Sequence, residues 1–242
     1  MQFPDYVHSV IDSPDDAAWP VQGQGRNECG CTVAANALNL LAGSRQFSKD
    51  DFVREAGILF QRWMGGSASP VTGWLLQRHG RGTHFGNLLH TDAEVVLRAL
   101  IDHKVPVVVE IGKHNLPHLP IHIYGEHSIL LVGYSVPPPD RAGVLHQEYY
   151  FVDSQAQGFD TIDLHANIVN IDGVPTQLPG NRTLARDDFL RQFQTGIYYP
   201  VFPSQAAHNE WYQAHMNERR GIPLLSWLTA TLLTGSNDIW VG

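Results

Sequence analysis

Gln22-Gly-Gln-Gly-Arg-Asn-Glu-Cys-Gly-Cys31 runs directly into Thr32-Val-Ala-Ala-Asn-Ala-Leu-Asn-Leu-Leu-Ala42, a glycine-rich polar approach followed by a helix-forming run. In the second segment Val33, Ala34, Ala37, Leu38 and Leu41 share one helical face, and Gly43 is placed to end the helix. Its small residues predict a helix packed tightly into a core. Cys29 stands at the start of that helix. A helix N-terminus favours the thiolate over the thiol, and the thiolate is the nucleophilic form of cysteine. Gly30, with no side chain, would let the backbone approach a bound substrate closely.

Working outward, residues 1–28 are rich in Pro, Asp and Gly and read as an irregular arm leading to Cys29. Ser48-Lys-Asp-Asp51 resembles a capping box and predicts a second helix to about Ala56. Residues 57–90 read as loop-rich, with Gly65-Gly66, Pro70 and the Gly80-Arg-Gly82 turn. Asp92 to His103, capped by Thr91, predicts a helix with Val95, Val96, Leu97 and Leu100 on its buried side. Val105-Pro-Val-Val-Val-Glu-Ile111 predicts a strand, as do His127-Ser-Ile-Leu-Leu-Val-Gly-Tyr134 and Tyr149-Tyr-Phe-Val-Asp153. Residues 156–182 read as strand and loop. Thr183 to Phe193 reads as a helix capped by Thr183, and Gly196 to Phe202 as a closing strand. Two further helices are expected at about 204–219 and 223–233. Helices first and mainly antiparallel strands afterwards predict an α+β fold. The expected organisation is a main domain over 1–203, with its arm at 1–28, and a C-terminal helical extension over 204–242 packed on it.

Bulk properties narrow the function. At 242 residues the chain can bury a sizeable core. A net charge of −8, with 16 scattered basic residues, argues against a nucleic-acid ligand. The longest apolar stretch, Ile222 to Leu233, is too short to cross a bilayer. No cleavable export signal is evident at Met1-Gln-Phe-Pro-Asp5. A bacterial cytoplasmic enzyme and an effector exported without a signal peptide both fit. Cys29 and Cys31 are too close in sequence for a useful disulfide and too few for a cysteine-rich zinc site. They are either small core residues or reactive thiols.

Two other residues bear on that choice. His127 stands at the polar mouth of an apolar strand, where a general base would sit. Asp153, after Tyr-Tyr-Phe-Val, is costly to bury without a partner, and the His127 ring is a candidate partner. Each of the three alone is more often structural: a buried cysteine, a satisfied core histidine, a strand-end acid.

Together and in this order, they resemble the papain-like cysteine peptidases, in particular the branch of bacteriocin leader peptidases. That branch shows a Gln a few residues before a Cys-Gly that opens a helix, then a hydrophobic strand. A His leading an apolar run to Gly-Tyr follows, and then an acid after a Tyr/Phe/Val strand. Here these are Gln24 or Gln22, Cys29-Gly30, Val105 to Ile111, His127 to Tyr134 and Phe151-Val-Asp153, over about residues 20–155. The resemblance implies a papain-like fold, with the Cys29 helix among N-terminal helices packed on the sheet. It implies Cys29 as nucleophile, His127 as base and then acid, and Asp153 as orienter. The oxyanion would be held by the Cys29 N–H and the amide of Gln24 or Gln22. The chain departs from the pattern in three ways. Gln24 stands five and Gln22 seven residues before Cys29, where the family usually has six. Cys31 competes with Cys29 as nucleophile, and Ser154 follows the acid in place of the common Pro.

The function implied is amide-bond hydrolysis of a peptide or protein through an acyl-enzyme intermediate, with no cofactor. An acyltransferase, transglutaminase-like enzyme or deamidase would use the same triad, and a non-catalytic papain-like binding domain would keep the shell alone. Trp63, Trp74 and His84 are candidates for a substrate groove, with core packing as the alternative. His114, His118, His122 and His127 invite a metal reading. Pro117 and Pro120 break the helical spacing that reading needs, and no metal site is expected. The C-terminal helices, with Trp211, Tyr212, Trp227 and Trp240, offer a packing, partner or dimer surface.

Overall fold

The run Val107–Ile111 is buried at every position, the pattern of a strand covered on both faces. Val107, Val109 and Ile111 enter one hydrophobic cluster, while Val108 enters another. The alternation repeats along the neighbouring strands. Ile129, Leu131, Tyr149, Phe151 and Tyr198 join the first cluster; Leu130, Val132, Tyr150, Val152 and Tyr199 join the second. One sheet therefore separates two cores, each closed by helices.

A computed structural model describes residues 2–12, 22–61, 66–67, 69–84, 86–87, 93–112, 114–115, 122–124, 127–155, 167–171, 173–193 and 195–215. In chain order the first elements are β1 (Val7–Ser9), α1 (Cys29–Ala42), α2 (Lys49–Ala56), β2 (Phe60–Gln61), β3 (Gly66–Ser67) and α3 (Ser69–Arg78). Next come β4 (Gly86–Asn87), α4 (Ala93–Asp102), β5 (Val107–Ile111), β6 (His114–Asn115), β7 (His122–Tyr124) and β8 (His127–Ser135). The last are β9 (Glu148–Val152), β10 (Ile168–Ile171), β11 (Val174–Gln177), β12 (Arg182–Ala185), α5 (Arg186–Gln192), β13 (Ile197–Pro200) and α6 (Gln205–His215).

The fold is mixed α+β with a mainly antiparallel sheet. The main sheet has the order β12-β9-β8-β5-β13-β4, with β1 pairing the far end of β8. The pairs β2–β3, β6–β7 and β10–β11 form separate small hairpins. Helices α1, α2 and α3 supply the second cluster through Leu38, Phe52 and Leu75; α4, α5 and α6 supply the first through Leu97, Phe189 and Trp211.

Register fixes what meets at the sheet end. Ile111 pairs with His127, Leu130 with Val152, and Phe151 with Arg182, all antiparallel. The start of β8, the exit of β9 and the start of β12 therefore share one edge. Helix α1 packs on β8 from the second-cluster side.

Several local expectations agree with the structure. Gly43 ends α1 in the left-handed region at φ 63°, and the Ser48 hydroxyl caps α2 by accepting from the Asp50 N–H. Others are corrected. Residues 57–90 contain helix α3, because Pro70 falls in a first helical turn, where a missing N–H breaks nothing. The expected helix over 183–193 is split: Arg182–Ala185 is strand, and the helix starts at Arg186, with Asp187 and Asp188 in its first turn. Thr183 is therefore a strand residue and not a cap. Val95 is 68% exposed, and Ala93 and Ile101 take the buried face of α4 with Val96, Leu97 and Leu100. Helices also cover both sheet faces, and α6 packs on the first-cluster side with Trp211 and His208 buried. Thr91, the expected helix at 223–233, Trp63, Trp227 and Trp240 lie outside the described residues.

Candidate active site

Helix α1 begins at Cys29 because the preceding chain makes a tight turn. Asn27 adopts φ 60°, and the Glu28 carboxylate reaches back to accept from the Gly25 N–H at 2.8 Å. A Cβ at Gly25 would lie 2.4 Å from that carboxylate, so a larger residue there would push the Glu28 side chain aside. Glu28 itself is buried, with Lys49 Nζ at 3.8 Å. Farther along α1, Asn36 and Asn39 clamp the flanking loops, which makes this helix a rigid platform. Asn36 exchanges two hydrogen bonds with the Gln22 backbone, and Asn39 Oδ1 accepts from the Gln46 and Phe47 N–H groups.

The imidazole of His127 lies between a carboxylate and a thiol. Its Nε2 is 2.8 Å from Asp153 Oδ1, and Cys29 lies near enough to the ring to favour its protonated form. With Nε2 facing the acid, Nδ1 is the nitrogen left for the sulfur. Asp153, 2% exposed, is held on every side. Its Oδ1 also accepts from the Gln155 N–H at 2.9 Å, and its Oδ2 accepts from Arg182 Nη1 at 2.6 Å. The Asn181 side chain bonds both the N–H and the C=O of Asp153.

Electrostatics follow from these contacts. Burial alone would lower the pKa of His127, but hydrogen bonds to Asp153 and Cys29, with their charges, push it up to about 9. Burial would raise Asp153; the hydrogen bond and charge of His127, the Gln155 N–H and Arg182 outweigh it and bring the acid down to about 2. At neutral pH the pair is imidazolium and carboxylate. Cys31 differs sharply. It is fully buried in the second core, and desolvation pushes its thiol up to about 12 despite a hydrogen bond to Ser67. Cys29 is half-buried and faces the histidine.

The two glutamines have separate surroundings. Gln22 donates from Nε2 to the Phe47 carbonyl and accepts from the Lys49 N–H, so its amide ties down the loop before α2. Gln24 is tied to the exit of β9. Its N–H donates to the Ser154 carbonyl, its Oε1 accepts from the Ser154 hydroxyl at 2.7 Å, and its Nε2 lies 3.4 Å from Gln155 Oε1. Ser154, where a Pro was expected by resemblance, is thus the residue that orients this amide.

No protein-family model matches this chain, and no curated protein matches it in sequence. What the site can do is set by its own geometry. A thiol at a helix start, a proton-carrying imidazole and a fully bonded carboxylate are the parts of nucleophilic acyl transfer. The first N–H groups of α1, that of Cys29 included, have no partner within the helix and are available to developing negative charge.

The remaining sequence candidates fall elsewhere. Gly30 is buried, and a Cβ there would lie 2.8 Å from Ser67 Oγ and 2.9 Å from Thr72 Oγ1. Its close approach is to α3 and β3. Trp74 packs on the second core with the Arg78 guanidinium 4.9 Å from its ring centre. His84 lies inside the molecule, where its Nδ1 is 2.9 Å from His208 Nε2 and its ring stacks on Trp211. Burial, and then the neighbouring His208, hold His84 well below the ordinary histidine range. The side chains of His114, His118 and His122 lie outside the described residues; among those described, no cluster of three or more metal-ligating groups occurs.

Sequence reasoning missed Arg182, Asn181 and Gln155. One signal was available: Asn181-Arg182 directly follows the Pro179-Gly180 turn, a place for two large polar groups that serve a neighbour. That the neighbour is Asp153 follows only from the β9–β12 register.

Proposed function

We propose that the protein is a thiol-dependent amide-bond hydrolase of papain-like type, acting on peptide or protein substrates. One observation carries the reading: the His127 ring bonds Asp153 and lies within electrostatic reach of Cys29, the first residue of a helix. The order of the elements around it supports a papain-like arrangement, with the thiol on an early helix and the imidazole and acid on successive antiparallel strands.

In this mechanism Cys29 attacks the substrate carbonyl as thiolate, forming a C–S bond. The carbonyl oxygen becomes an oxyanion against the Cys29 N–H and the Gln24 amide, which Ser154 holds by its oxygen end. His127 gives its proton to the leaving amine as the C–N bond breaks, leaving a thioester. It then takes a proton from water, whose oxygen attacks the thioester; the C–S bond breaks, releasing the carboxylic acid and restoring the Cys29 thiolate beside the imidazolium. Asp153 keeps the ring oriented, and Arg182 and Asn181 keep Asp153 in place. An amine or hydroxyl in place of water turns the same intermediate to acyl transfer, whereas a glutamine side chain as substrate with water as acceptor gives deamidation.

The test is to incubate the protein with a peptide library and read both products and enzyme by mass spectrometry. Hydrolysed peptides and an acyl adduct on Cys29, both lost in Cys29→Ala, are expected. Cleavage that persists in Cys29→Ala would refute the proposal. Adducts passed to added amines, with no hydrolysis, would move the assignment to transfer.

A further inference from the structure

Beside His127 and Asp153 lies an open cavity of about 590 Å³, lined also by Gln155, Asn181, Arg182 and Thr183. Cys29 is not among the described residues that line it. The cavity therefore borders the imidazole and its carboxylate without being lined by the thiol. In acyl transfer the histidine protonates the departing amine, so the histidine side of the reacting carbon is the leaving-group side. The walls of that side are polar throughout.

Their charges are not balanced. Asp153 is the single carboxylate among the described lining residues, and both of its oxygens are taken by internal donors: His127 and the Gln155 N–H on Oδ1, Arg182 on Oδ2. Facing it are two cations, the protonated His127 and Arg182. Among the described lining residues, which exclude the Cys29 thiolate, the sum is one positive charge, in a chain whose net charge is −8. Asn181 is committed to the Asp153 backbone, and the Thr183 hydroxyl donates to Asn167. The groups left to meet a ligand are the Arg182 guanidinium, about a third exposed, and the amide of the exposed Gln155. Both are donors suited to a carboxylate.

We infer that this cavity is a subsite for an acidic group on the leaving-group side of the substrate: an Asp or Glu side chain, or a terminal carboxylate, within a residue or two of the cleaved bond. The inference rests on the hydrolase reading above. It names Arg182 and Gln155 as the residues that would select such substrates. An acidic group there also lies close to the His127 imidazolium, which further favours its binding.

The test uses the full chain and a proteome-derived peptide library, with cleavage sites read by mass spectrometry, followed by matched quenched peptides bearing Glu or Gln on the leaving-group side. Acidic residues should be enriched at that side, and the Glu peptide should exceed its Gln twin in kcat/KM by roughly tenfold, as expected of one partly screened charge pair. Gln155→Glu, which adds a like charge at an exposed position and leaves the Arg182–Asp153 bond untouched, should cut that ratio severalfold. Equal rates for the two peptides, or a ratio unmoved by Gln155→Glu, would overturn the subsite and leave the hydrolase reading intact. No cleavage together with no alkylation of Cys29 would overturn both. Alkylation of Cys29 without cleavage of any peptide would overturn the subsite and the peptide-hydrolase reading, leaving a reactive thiol.

Discussion

Asp153→Asn isolates the charge behind the imidazole. His127 stands at about 9 against an ordinary 6.5, a difference equivalent to about 3 kcal/mol in favour of the imidazolium. Asp153 supplies both a hydrogen bond and a charge toward that sum, and Cys29 supplies the rest. With Asn at 153 the ring keeps a neutral partner and remains 16% exposed, so the burial that lowers its pKa acts with less opposition. His127 should then titrate at least about one pH unit lower, equivalent to roughly 1.4 kcal/mol or more. The assay is NMR titration of isotope-labelled histidine, with His127→Gln assigning the resonance. Arg182 loses its ionic partner in the same variant, and its thermal midpoint should fall as well. The sign with pH is fixed by the raised histidine: its contribution to stability is fully present below about 6.5 and lost as pH rises through about 9. The Tm deficit of Asp153→Asn should therefore narrow on the alkaline side. A native His127 titrating near 6.5, or a midpoint unmoved by Asp153→Asn, would refute this account of the pair.

Cys31→Ala should keep activity and lose about 1 kcal/mol of stability, since a fully buried thiol is removed from the second core, as read from denaturant melts. Gln24→Ala should lower kcat by about a hundredfold with KM little changed, because the amide would act on the oxyanion rather than on bound substrate. Ser154→Ala, which removes the hydroxyl that fixes the Gln24 amide at 2.7 Å, should lower kcat in the same direction by a smaller factor. Arg182→Gln should raise Asp153 from about 2 toward the ordinary carboxylate range. A depressed acid stabilises above its unfolded pKa and loses that effect as pH falls through its folded value, so acid melts should show this variant weakening at higher pH than the native chain.

The helix that carries Cys29, the strand that carries His127 and the strand that ends at Asp153 were legible because each is a local pattern. A small-residue helical face, a continuous apolar run and an aromatic strand each state their own burial. The choice between Gln22 and Gln24 was not legible, since both precede the thiol at similar distance. It depends on Phe47 and Lys49 engaging one amide while Ser154 engages the other. Arg182 was hidden for a related reason. Arg182-Thr-Leu-Ala185 has the composition of a helix start, and its pairing with β9, a tertiary event, makes it a strand. Helix α3 was obscured by Pro70 and Gly73, which punctuate loops in most contexts; Pro70 fits a first helical turn, and Gly73 sits against the Tyr199 ring, where a Cβ would lie at 2.9 Å. Val95 was placed inside on apolarity alone, whereas the sheet below α4 receives Val96, Leu97 and Leu100.

The central claim is that Cys29, and not Cys31, is the reactive thiol and that His127 makes it so. Iodoacetamide at about pH 7, followed by peptide mapping, tests this on the native protein and on His127→Ala. The account predicts one adduct, on Cys29, formed at least about tenfold more slowly in the histidine variant. An adduct on Cys31, or labelling of Cys29 at the same rate with and without the imidazole, would contradict it.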